Sequence, residues 1–424
     1  PNIIFITLDT LRADHLQSFG YEKETSPFLD SIVENSVVFE NSIASSSWTL
    51  PSHASLFTGK DPVNHNAVRT HQFLDLKHVT LAEILAEAGY NTVGFAGGPN
   101  CKKKFGIAQG VKDHKDRLDF FEHTLTYDDY SIANLILEIE PNFLTGFGID
   151  GELTSEQINK EVFDWLNQNS EHPFFMFINY FDVHLPYNLG SEYNSLFFDE
   201  SIKQDINTND LFYWDRYAEL PSGMLEYVIG LYDSEIMYLD QHIKALFNQL
   251  DTLEIKENTI IIITEDHGEE FYDHGGFDHS LTLYDEVIKT PLIIYYPKEF
   301  EPQKIDARVN TLNIFSTLLE MLDLGSKIPS NIDSTSLLPL IENQEGFNET
   351  TAFSELYARF YLGETEQKAV SANNWKLITV NPETETLPTS LFDIKEDPAE
   401  KNNLYTSEAE KKEELQQIRR ERFD

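Results

Sequence analysis

The amino-acid sequence predicts an α/β protein with a large, mostly parallel central sheet flanked by helices. Short, almost continuous runs of β-branched and aromatic residues recur along the chain, and such runs are typical of strands buried on both faces. Segments with apolar residues at helical spacing alternate with these runs. The alternation of strand and helix is typical of a parallel sheet with helices on both sides.

Each predicted element rests on a local signal. The strand-like runs of the main sheet cover residues 2–8, 37–43, 91–96, 174–180, 259–264 and 291–296. The helical segments cover residues 26–34, 81–88, 224–250 and 312–322. A further helix is predicted from Thr49, because Pro51 fits a first helical turn, where its missing N–H would have no partner. Gly89 favours the end of the second helical segment.

The chain is predicted to form two domains. Residues 1–340 form a candidate catalytic α/β domain, and residues 341–424 form a smaller C-terminal α+β subdomain with an antiparallel sheet. The strands of that sheet are predicted at 352–354, 369–379 and 391–394, before a charged helix at 407–420. Two segments of the first domain, 100–160 and 188–220, have weak periodicity, and we expect them to cross the active-site face and govern substrate selectivity.

The charge balance limits the classes of partner. The chain has 31 basic and 72 acidic residues, which gives a formal net charge of −41. Such a field repels phosphate backbones and anionic lipid surfaces, which argues against nucleic-acid or membrane binding. An anionic substrate would therefore need a local metal ion or a cluster of His and Lys residues.

Two further features bear on the compartment. Cys101 is the single cysteine, so no intramolecular disulfide can form. No apolar run reaches the roughly 18 residues that a membrane span requires. Because no leader-like segment is present, we expect a cytoplasmic protein, although a chain trimmed of a secretion leader would look the same. No sequence feature indicates the oligomeric state.

Thr49 is the candidate nucleophile. It lies at the start of a predicted helix, where unpaired amides and the helix dipole favour negative charge. Its hydroxyl would become a nucleophile if a metal ion lowered its pKa. The local sequence alone also fits a threonine that only caps the helix.

Three acidic or imidazole side chains follow two predicted strands. Asp9 ends the first strand, and Asp266 and His267 follow the strand at 259–264. The carboxyl edge of a parallel sheet is where ligands bind, so these residues can converge. Together with the Thr49 oxygen they would bind a divalent cation, and Ca, Mg, Mn and Zn all remain open. Turn chemistry is the alternative explanation for an Asp-His-Gly sequence.

Further histidines occupy similar positions. His184 follows the strand at 174–180, while His274 and His279 lie a few residues beyond the Asp266 segment. Histidines at strand ends beside a metal site are suited to binding a tetrahedral anion or protonating a leaving group. We therefore predict His184 and His279 as catalytic residues and His274 as a substrate-binding residue. Asn100, at the start of a basic segment, is a further substrate-binding candidate.

With these residues in place, the sequence resembles the sulfatase family of the alkaline phosphatase superfamily. The matching motifs follow the family's order over nearly the whole chain, at residues 8–15, 49–59, 88–92, 182–187, 266–270, 280–291 and 391–404. The resemblance implies an alkaline-phosphatase-like sandwich and a C-terminal subdomain with a four-stranded sheet and a helix. It implies that Asp9, Asp266 and His267 bind the metal and that Thr49 is both ligand and nucleophile. His184 and His279 would contact the ester anion or the leaving group.

Departures from the family pattern bear on the substrate. Sulfatases have Cys or Ser at the position of Thr49, which is oxidised to formylglycine, and threonine cannot give that aldehyde. His53 stands where sulfatases have Arg, which makes it a candidate for substrate binding. Thr10 replaces a second acidic residue, and the Gly-Lys-Trp element after Gly89 is absent. Related phosphodiesterases and lipoteichoic acid synthases use a threonine nucleophile.

The leading hypothesis is a metal-dependent hydrolase that cleaves a small anionic ester, either a phosphate mono- or diester or a phosphonate ester. Thr49 would form the covalent intermediate, and His279 or His184 would protonate the leaving oxygen. The first alternative is a sulfuric ester hydrolase that works without formylglycine. The second is a non-catalytic anion-binding protein on the same scaffold.

Overall fold

The structure is a computed structural model. It describes residues 1–115, 153–187, 193, 196–206, 208, 211, 218–343, 351–358, 365–381 and 388–423. Most of the two predicted selectivity segments, 100–160 and 188–220, therefore lies outside the described residues. Within the described part, no helix combines the length and the apolar character that crossing a bilayer requires.

The strands are numbered in chain order. They are β1 (Asn2–Leu8), β2 (Val37–Ile43), β3 (Asn91–Ala96), β4 (Asp113–Lys115), β5 (Phe174–Tyr180), β6 (Thr259–Thr264), β7 (Glu270–Phe271), β8 (Phe277–Asp278), β9 (Lys289–Tyr295), β10 (Gln303–Asn310), β11 (Ala352–Ala358), β12 (Thr365–Ala372), β13 (Trp375–Asn381) and β14 (Ser390–Asp393).

The α-helices follow the same convention. They are α1 (Pro27–Val33), α2 (Thr49–Thr58), α3 (Pro62–His65), α4 (Leu81–Glu87), α5 (Ser155–Asn169), α6 (Met224–Thr252), α7 (Asp285–Ile288), α8 (Asn313–Met321), α9 (Leu338–Ile341) and α10 (Ala409–Phe423).

The main sheet has eight strands in the order β10-β2-β9-β6-β1-β5-β3-β4, and β9 alone runs antiparallel to its neighbours. The four neighbours β6, β1, β5 and β3 are parallel, so their carboxyl ends lie along one edge. This arrangement confirms the predicted α/β fold. It also places the residues that follow these strands in one cluster.

The sheet is buried on both faces because its strands carry apolar side chains in both directions. Ile3 and Phe5 of β1 pack in a core with α2 and α8, whereas Ile4 and Ile6 pack in a second core with α6. Each such side chain contributes roughly 1.5–3 kcal/mol when fully buried. The two cores fix β1, and therefore Asp9, at the centre of the molecule.

Several elements differ from the sequence-based expectation. The main sheet includes β4 and β10, which were not predicted because most of their residues are not buried. The single strand predicted at 369–379 is wrong, since β12 and β13 form a hairpin across Asn373 and Asn374. These residues have φ values of 50° and 63°, and asparagine tolerates this left-handed conformation in two-residue turns. In addition, α5 begins inside the segment 100–160, for which no helix is predicted.

The C-terminal sheet, ordered β11-β12-β13-β14, supports the segment that leads into α2. The Glu355 amide of β11 donates to the Ser45 carbonyl at 2.9 Å. The Ser46 hydroxyl donates to the Glu355 carbonyl at 2.7 Å. The C-terminal sheet therefore helps to position the start of the helix that carries Thr49.

The buried carboxyl of Glu355 predicts that the stability of the fold depends on pH. Burial raises the pKa of its carboxyl to about 8, although the Val63 amide that donates to it favours the charged form. Because the folded-state pKa lies above the unfolded one, the stabilising contribution is complete below about pH 4.3 and is lost as the pH rises through 8. Between pH 5 and 8, we expect unfolding free energies of the wild type to fall by a few kcal/mol relative to Glu355→Gln.

Urea unfolding of both proteins at several pH values measures this difference. Glu366→Gln is the control, because the Glu366 side chain lies on neighbouring β12 and is 35% exposed. The same pH profile for wild type and Glu355→Gln would contradict the prediction.

Candidate active site

Asp9, Asp266 and His267 meet at the carboxyl edge of the main sheet. The parallel register pairs Thr7 of β1 with Thr264 of β6, which brings the residues after both strands together. One ligand atom from each of the three side chains lies within 4.8 Å of the others. All three are buried, and the Asp9 amide is fixed by a 2.9 Å bond to the Tyr180 carbonyl of β5.

Thr49 lies beside this cluster. It is the first residue of α2, and Trp48, in an extended conformation, is the N-cap residue, so capping does not explain Thr49. The Thr49 side chain is buried, and its Oγ1 lies 3.4 Å from Nε2 of His267. The structure thus brings all four predicted metal-binding residues together, while their roles as ligands and nucleophile stay predictions.

The chemistry of the cluster fits a divalent cation. Among the described residues, Asp9 Oδ1 and Asp266 Oδ2 are buried and have no hydrogen-bond partner. Burial, and then the charge of Asp266, raise the pKa of Asp9 well above its usual value. Burial also raises the pKa of Asp266, more than His53 and His279 lower it. Two adjacent carboxylates of this kind are stabilised by a positive ion.

His267 is prepared as a nitrogen ligand. Its Nδ1 lies 3.0 Å from the Gly268 carbonyl, and because a carbonyl only accepts, Nδ1 carries the proton. Nε2, on the Thr49 side, is then left with its lone pair. Burial lowers the pKa of the ring well below its usual value, so the imidazole is neutral. Oxygen ligands with a single histidine do not select among Ca, Mg, Mn and Zn.

A hydrogen-bonded chain behind the cluster involves two residues that sequence reasoning missed, Asn179 and Thr7. Asn179 Nδ2 donates to Asp9 Oδ2 at 3.3 Å and to Thr7 Oγ1 at 3.2 Å. The Thr7 hydroxyl in turn donates to His53 Nε2 at 3.0 Å, and His53 Nδ1 donates to the Thr49 carbonyl at 2.9 Å. The sequence signal that could have indicated Thr7 and Asn179 is that each is a polar residue near the end of an otherwise apolar strand, β1 and β5 respectively.

His53 makes its hydrogen bonds within the protein, and its role in substrate binding stays a prediction. Both of its ring nitrogens are used within the protein, by Thr7 and by the backbone of Thr49. Burial also lowers the pKa of His53. His53 therefore connects α2 to β1 and supports the Thr49 backbone.

Thr10, at the position where the family pattern has a second acidic residue, contacts the loop after β5. Its φ is 58°, in the left-handed region, and its hydroxyl donates to the Val183 carbonyl at 2.9 Å. The side chain thus binds the loop after β5. That loop carries His184, so Thr10 supports the site through the backbone.

His184 and His279 lie next to each other in different charge states. Their ring centroids are 5.0 Å apart, and the His279 ring lies 4.3 Å from that of His267. His184 Nδ1 donates to the Leu185 carbonyl at 2.6 Å. Burial, followed by the charge of His279, lowers the pKa of His184 to about 4, so the ring is neutral and its Nε2 is an acceptor.

Two carboxylates, both missed by sequence reasoning, keep His279 charged. His279 Nδ1 lies 2.9 Å from Asp278 Oδ1 and 3.3 Å from Glu269 Oε1. Burial lowers the pKa of His279, but the charges of Asp278 and Glu269 outweigh it and raise the pKa well above its usual value. Because Nδ1 is held by these acids, the Nε2 proton is the one available for transfer. The sequence signal that could have indicated these two acids is their position, since Glu269 lies shortly after His267 and Asp278 directly precedes His279.

The last two candidates lie in different surroundings. Asn100 is half-buried in the 3-10 turn Pro99–Cys101, which follows β3 and packs against α2. His274 Nδ1 contacts Glu286 Oε1 at 2.6 Å, and its Nε2 contacts the Glu400 carbonyl at 3.1 Å. Both ring nitrogens of His274 are thus bound within the protein, and its role in substrate binding stays a prediction.

Metal analysis provides a direct test of the cluster. Asp266→Asn is expected to weaken binding of a divalent cation by about 100-fold or more, because it removes a charged oxygen ligand. Metal content after dialysis and competition with a chromogenic chelator measure this change. Asp182→Asn is the matched control, since this partly buried aspartate follows the neighbouring strand β5 but accepts a hydrogen bond from the Ser155 amide at 3.0 Å. Retention of the metal by Asp266→Asn would remove it from the ligand set.

Comparison with known proteins identifies the family. Residues 1–324 match the family model described as Sulfatase. The chain belongs to the sulfatase family. Residues 272–423 also match the model of the C-terminal region of N-sulphoglucosamine sulphohydrolase.

Several relatives of this sulfatase-family protein span most of its length. The Ulvan-active sulfatase of Formosa agariphila is 26% identical over 95% of this chain and 77% of its own. Iduronate 2-sulfatase of Mus musculus is 24% identical over 81% of this chain and 68% of its own.

Solved structures share the fold at low identity. The phosphonate monoester hydrolase of Agrobacterium radiobacter superposes with a TM-score of 0.75 at 19% identity, covering 100% of this chain and 96% of its own. A protein solved with its substrate D-glucosamine-2-N,6-O-disulfate superposes with a TM-score of 0.75 at 20% identity, over 99% and 97% of the two chains. At these identities, the likeness shows the sulfatase fold.

Proposed function

We propose that this sulfatase-family hydrolase cleaves a phosphate or phosphonate ester through a covalent intermediate on Thr49. The observation that carries the proposal is the position of the buried Thr49 hydroxyl, 3.4 Å from His267 in the candidate metal cluster. Threonine cannot be oxidised to the aldehyde whose hydrate releases sulfate. A phosphorylated threonine, by contrast, can be resolved by in-line attack of water.

The residues of the site have three roles: metal binding, nucleophilic attack and proton donation to the leaving group. Asp9, Asp266, His267 and Thr49 would hold a divalent cation, which when bound supplies positive charge that favours the Thr49 alkoxide and the charge on the non-bridging oxygens. Thr49 Oγ1 attacks phosphorus as the alkoxide, its proton having passed to solvent, so the Oγ1–P bond forms while the bond to the leaving oxygen breaks. The proton on His279 Nε2 passes to that oxygen.

The second half of the reaction restores the enzyme. Water attacks phosphorus, the Oγ1–P bond breaks, and the phosphate or phosphonate leaves. His279 Nε2, now without its proton, takes one from the attacking water. His184 Nε2, an acceptor beside His279, helps to orient that water through a hydrogen bond.

Sulfuric ester hydrolysis without formylglycine is the second candidate function. The observation that favours it is that the curated relatives described above are sulfatases. The phosphonate monoester hydrolase neighbour favours the phosphorus ester, although its likeness concerns the fold. A non-catalytic anion-binding protein is the third candidate, and the retained cluster of Thr49, Asp9, Asp266 and His267 argues against it.

Parallel assays decide among these candidates. The metal-loaded protein is assayed with nitrophenyl phosphate, bis-nitrophenyl phosphate, a nitrophenyl phosphonate and nitrophenyl sulfate. We expect the best phosphorus ester to exceed the sulfate in kcat/KM by about tenfold or more. A dominant sulfate rate would overturn the proposed preference. Binding of the metal without turnover of any ester would favour the anion-binding protein.

A further inference from the structure

We propose that Glu400 and Lys401 are positioning residues, which hold the general acid His279 where it can protonate a poor leaving group. Both residues belong to the C-terminal motif at residues 391–404, which supplies no side chain to the proposed chemistry. The inference rests on the proposed function, since it gives these residues a part in the same reaction. Their effect on the position of His279 can also be measured without turnover.

His279 directly follows a small hairpin, which we call the site hairpin. It consists of β7, the turn at residues 272–276 and β8, and its register pairs Glu270 with Asp278. Glu269 directly precedes the hairpin. The position of the site hairpin therefore determines where the His279 imidazole and its two carboxylate partners lie.

The turn of the site hairpin is held by two consecutive residues that follow β14. The His274 ring, at the turn, donates from Nε2 to the Glu400 carbonyl at 3.1 Å. Lys401 Nζ donates to the carbonyl of Asp273. The His274 ring is also stacked on Tyr284, with the ring centroids 3.6 Å apart. Residues that lie more than 120 positions apart in the chain thus fix the turn.

The carboxylate of Glu400 holds the chain on the other side of His279. Its Oε2 accepts from the Asp285 amide at 2.6 Å, and Lys376 Nζ lies 2.8 Å from its Oε1. Asp285 begins α7, shortly after His279 in the sequence. Glu400 is buried, and its φ of 53° lies in the left-handed region, which is strained for a glutamate. Such strain persists where surrounding contacts fix the conformation, and here one residue binds the chain on both sides of His279.

The metal cluster depends less on these contacts. Asp266 and His267 directly follow β6, and the register of β6 with β1 places them beside Asp9. Loss of the side chains of residues 400 and 401 would therefore leave the metal ligands in place while His279 moves. A displaced imidazole protonates the leaving oxygen poorly, because proton transfer requires hydrogen-bond distance.

Leaving groups of different basicity test this separation. Nitrophenolate leaves without a proton, whereas the more basic phenolate requires the acid, and kcat/KM reports the step in which either one departs. In Glu400→Ala with Lys401→Ala, we expect kcat/KM for the phenyl ester to fall on the order of tenfold or more. The value for the para-nitrophenyl ester of the same acid should fall less than about threefold. Lys401→Ala alone, at an exposed position, is expected to lower the phenyl value about threefold.

Hydrogen exchange measures the position of the site hairpin without turnover. Mass spectrometry of the metal-loaded full chain follows the amides of residues 270–280. We expect these amides to exchange on the order of tenfold faster in the double variant, because the hairpin loses two side-chain contacts. The metal content of the same preparation is expected to stay unchanged.

Two controls separate positioning from a general loss of stability. Lys395→Ala with Glu396→Ala removes a neighbouring lysine and glutamate of the same motif, and both side chains are exposed. Leu415→Ala removes a buried side chain from the small core beneath α10 and lowers the stability there. Both controls are expected to keep the ratio of the two kcat/KM values within about twofold of the wild type.

Three results would overturn the proposal: an equal fall for both esters in the double variant, unchanged exchange of residues 270–280, or the same shift of the ratio in Leu415→Ala. A failure of the proposed function appears separately, as a dominant sulfate rate of the wild type. The phenyl and nitrophenyl sulfates then replace the phosphorus esters in the same comparison.

Discussion

Replacement of Thr49 by alanine is expected to lower kcat for the preferred ester by about 10³-fold or more, while the metal content stays nearly unchanged. The loss follows from removal of the oxygen that forms the covalent intermediate. The metal is retained because Asp9, Asp266 and His267 still supply three ligand atoms within 4.8 Å of one another. Steady-state kinetics and metal analysis of the same preparation measure both quantities.

Thr49→Ser is the matched control for this prediction. It keeps a hydroxyl at the first position of α2, so we expect measurable turnover and formation of a covalent adduct. The His53 hydrogen bond to residue 49 is made to the backbone carbonyl, at 2.9 Å, and both variants keep it. Unchanged turnover in Thr49→Ala would remove this residue from the mechanism, whereas loss of the metal would show that the cluster depends on its oxygen.

Replacement of Lys376 by methionine is expected to lower the free energy of unfolding by about 3–5 kcal/mol. The Lys376 side chain is fully buried, and its Nζ lies 2.7 Å from Asp285 Oδ1 and 2.8 Å from Glu400 Oε1. Without the ammonium group, Glu400 becomes a buried carboxylate that has lost its cation, while Asp285 keeps its 2.7 Å contact with Arg308. Urea unfolding at pH 7 measures the loss.

Two further variants separate charge from packing. Glu400→Gln added to Lys376→Met should recover part of the stability, because burial already raises the pKa of Glu400 to about 7 although Lys376 lowers it. Lys395→Met, at an exposed position of the same subdomain, is expected to change the stability by less than about 0.5 kcal/mol. A loss of the same size in Lys395→Met and Lys376→Met would contradict the ionic explanation.

The buried strands of the main sheet could be predicted because each one is a short apolar run that its local sequence identifies. A run such as residues 259–264, with four consecutive isoleucines, is short and rich in β-branched residues, and both properties favour a buried strand over a helix. The hairpin of β12 and β13 was missed because Asn373-Asn374 lies inside an apolar run and was not recognised as turn chemistry.

The grouping of residues at the centre of the candidate site could be predicted from the sequence, whereas the contacts at its periphery could not. Asp9, Asp266 and His267 follow strands that a parallel sheet places side by side, so topology alone brings them together. His53 and His274 look equally suitable in the sequence, but their ring nitrogens are bound within the protein, in part by residues far away along the chain. Glu286 and Glu400, for example, are the partners of His274.

The sequence by itself determined the α/β fold and the family, and it predicted the residues around the candidate metal site, because strand burial and strand-end chemistry are local properties. Only the tertiary structure decided which histidine is charged. His279 lies against Asp278 and Glu269, whereas His184 lies beside the charged His279 and bonds to a carbonyl. Protonation depends on burial and on the distance to other charges, and both arise when separate parts of the chain pack together.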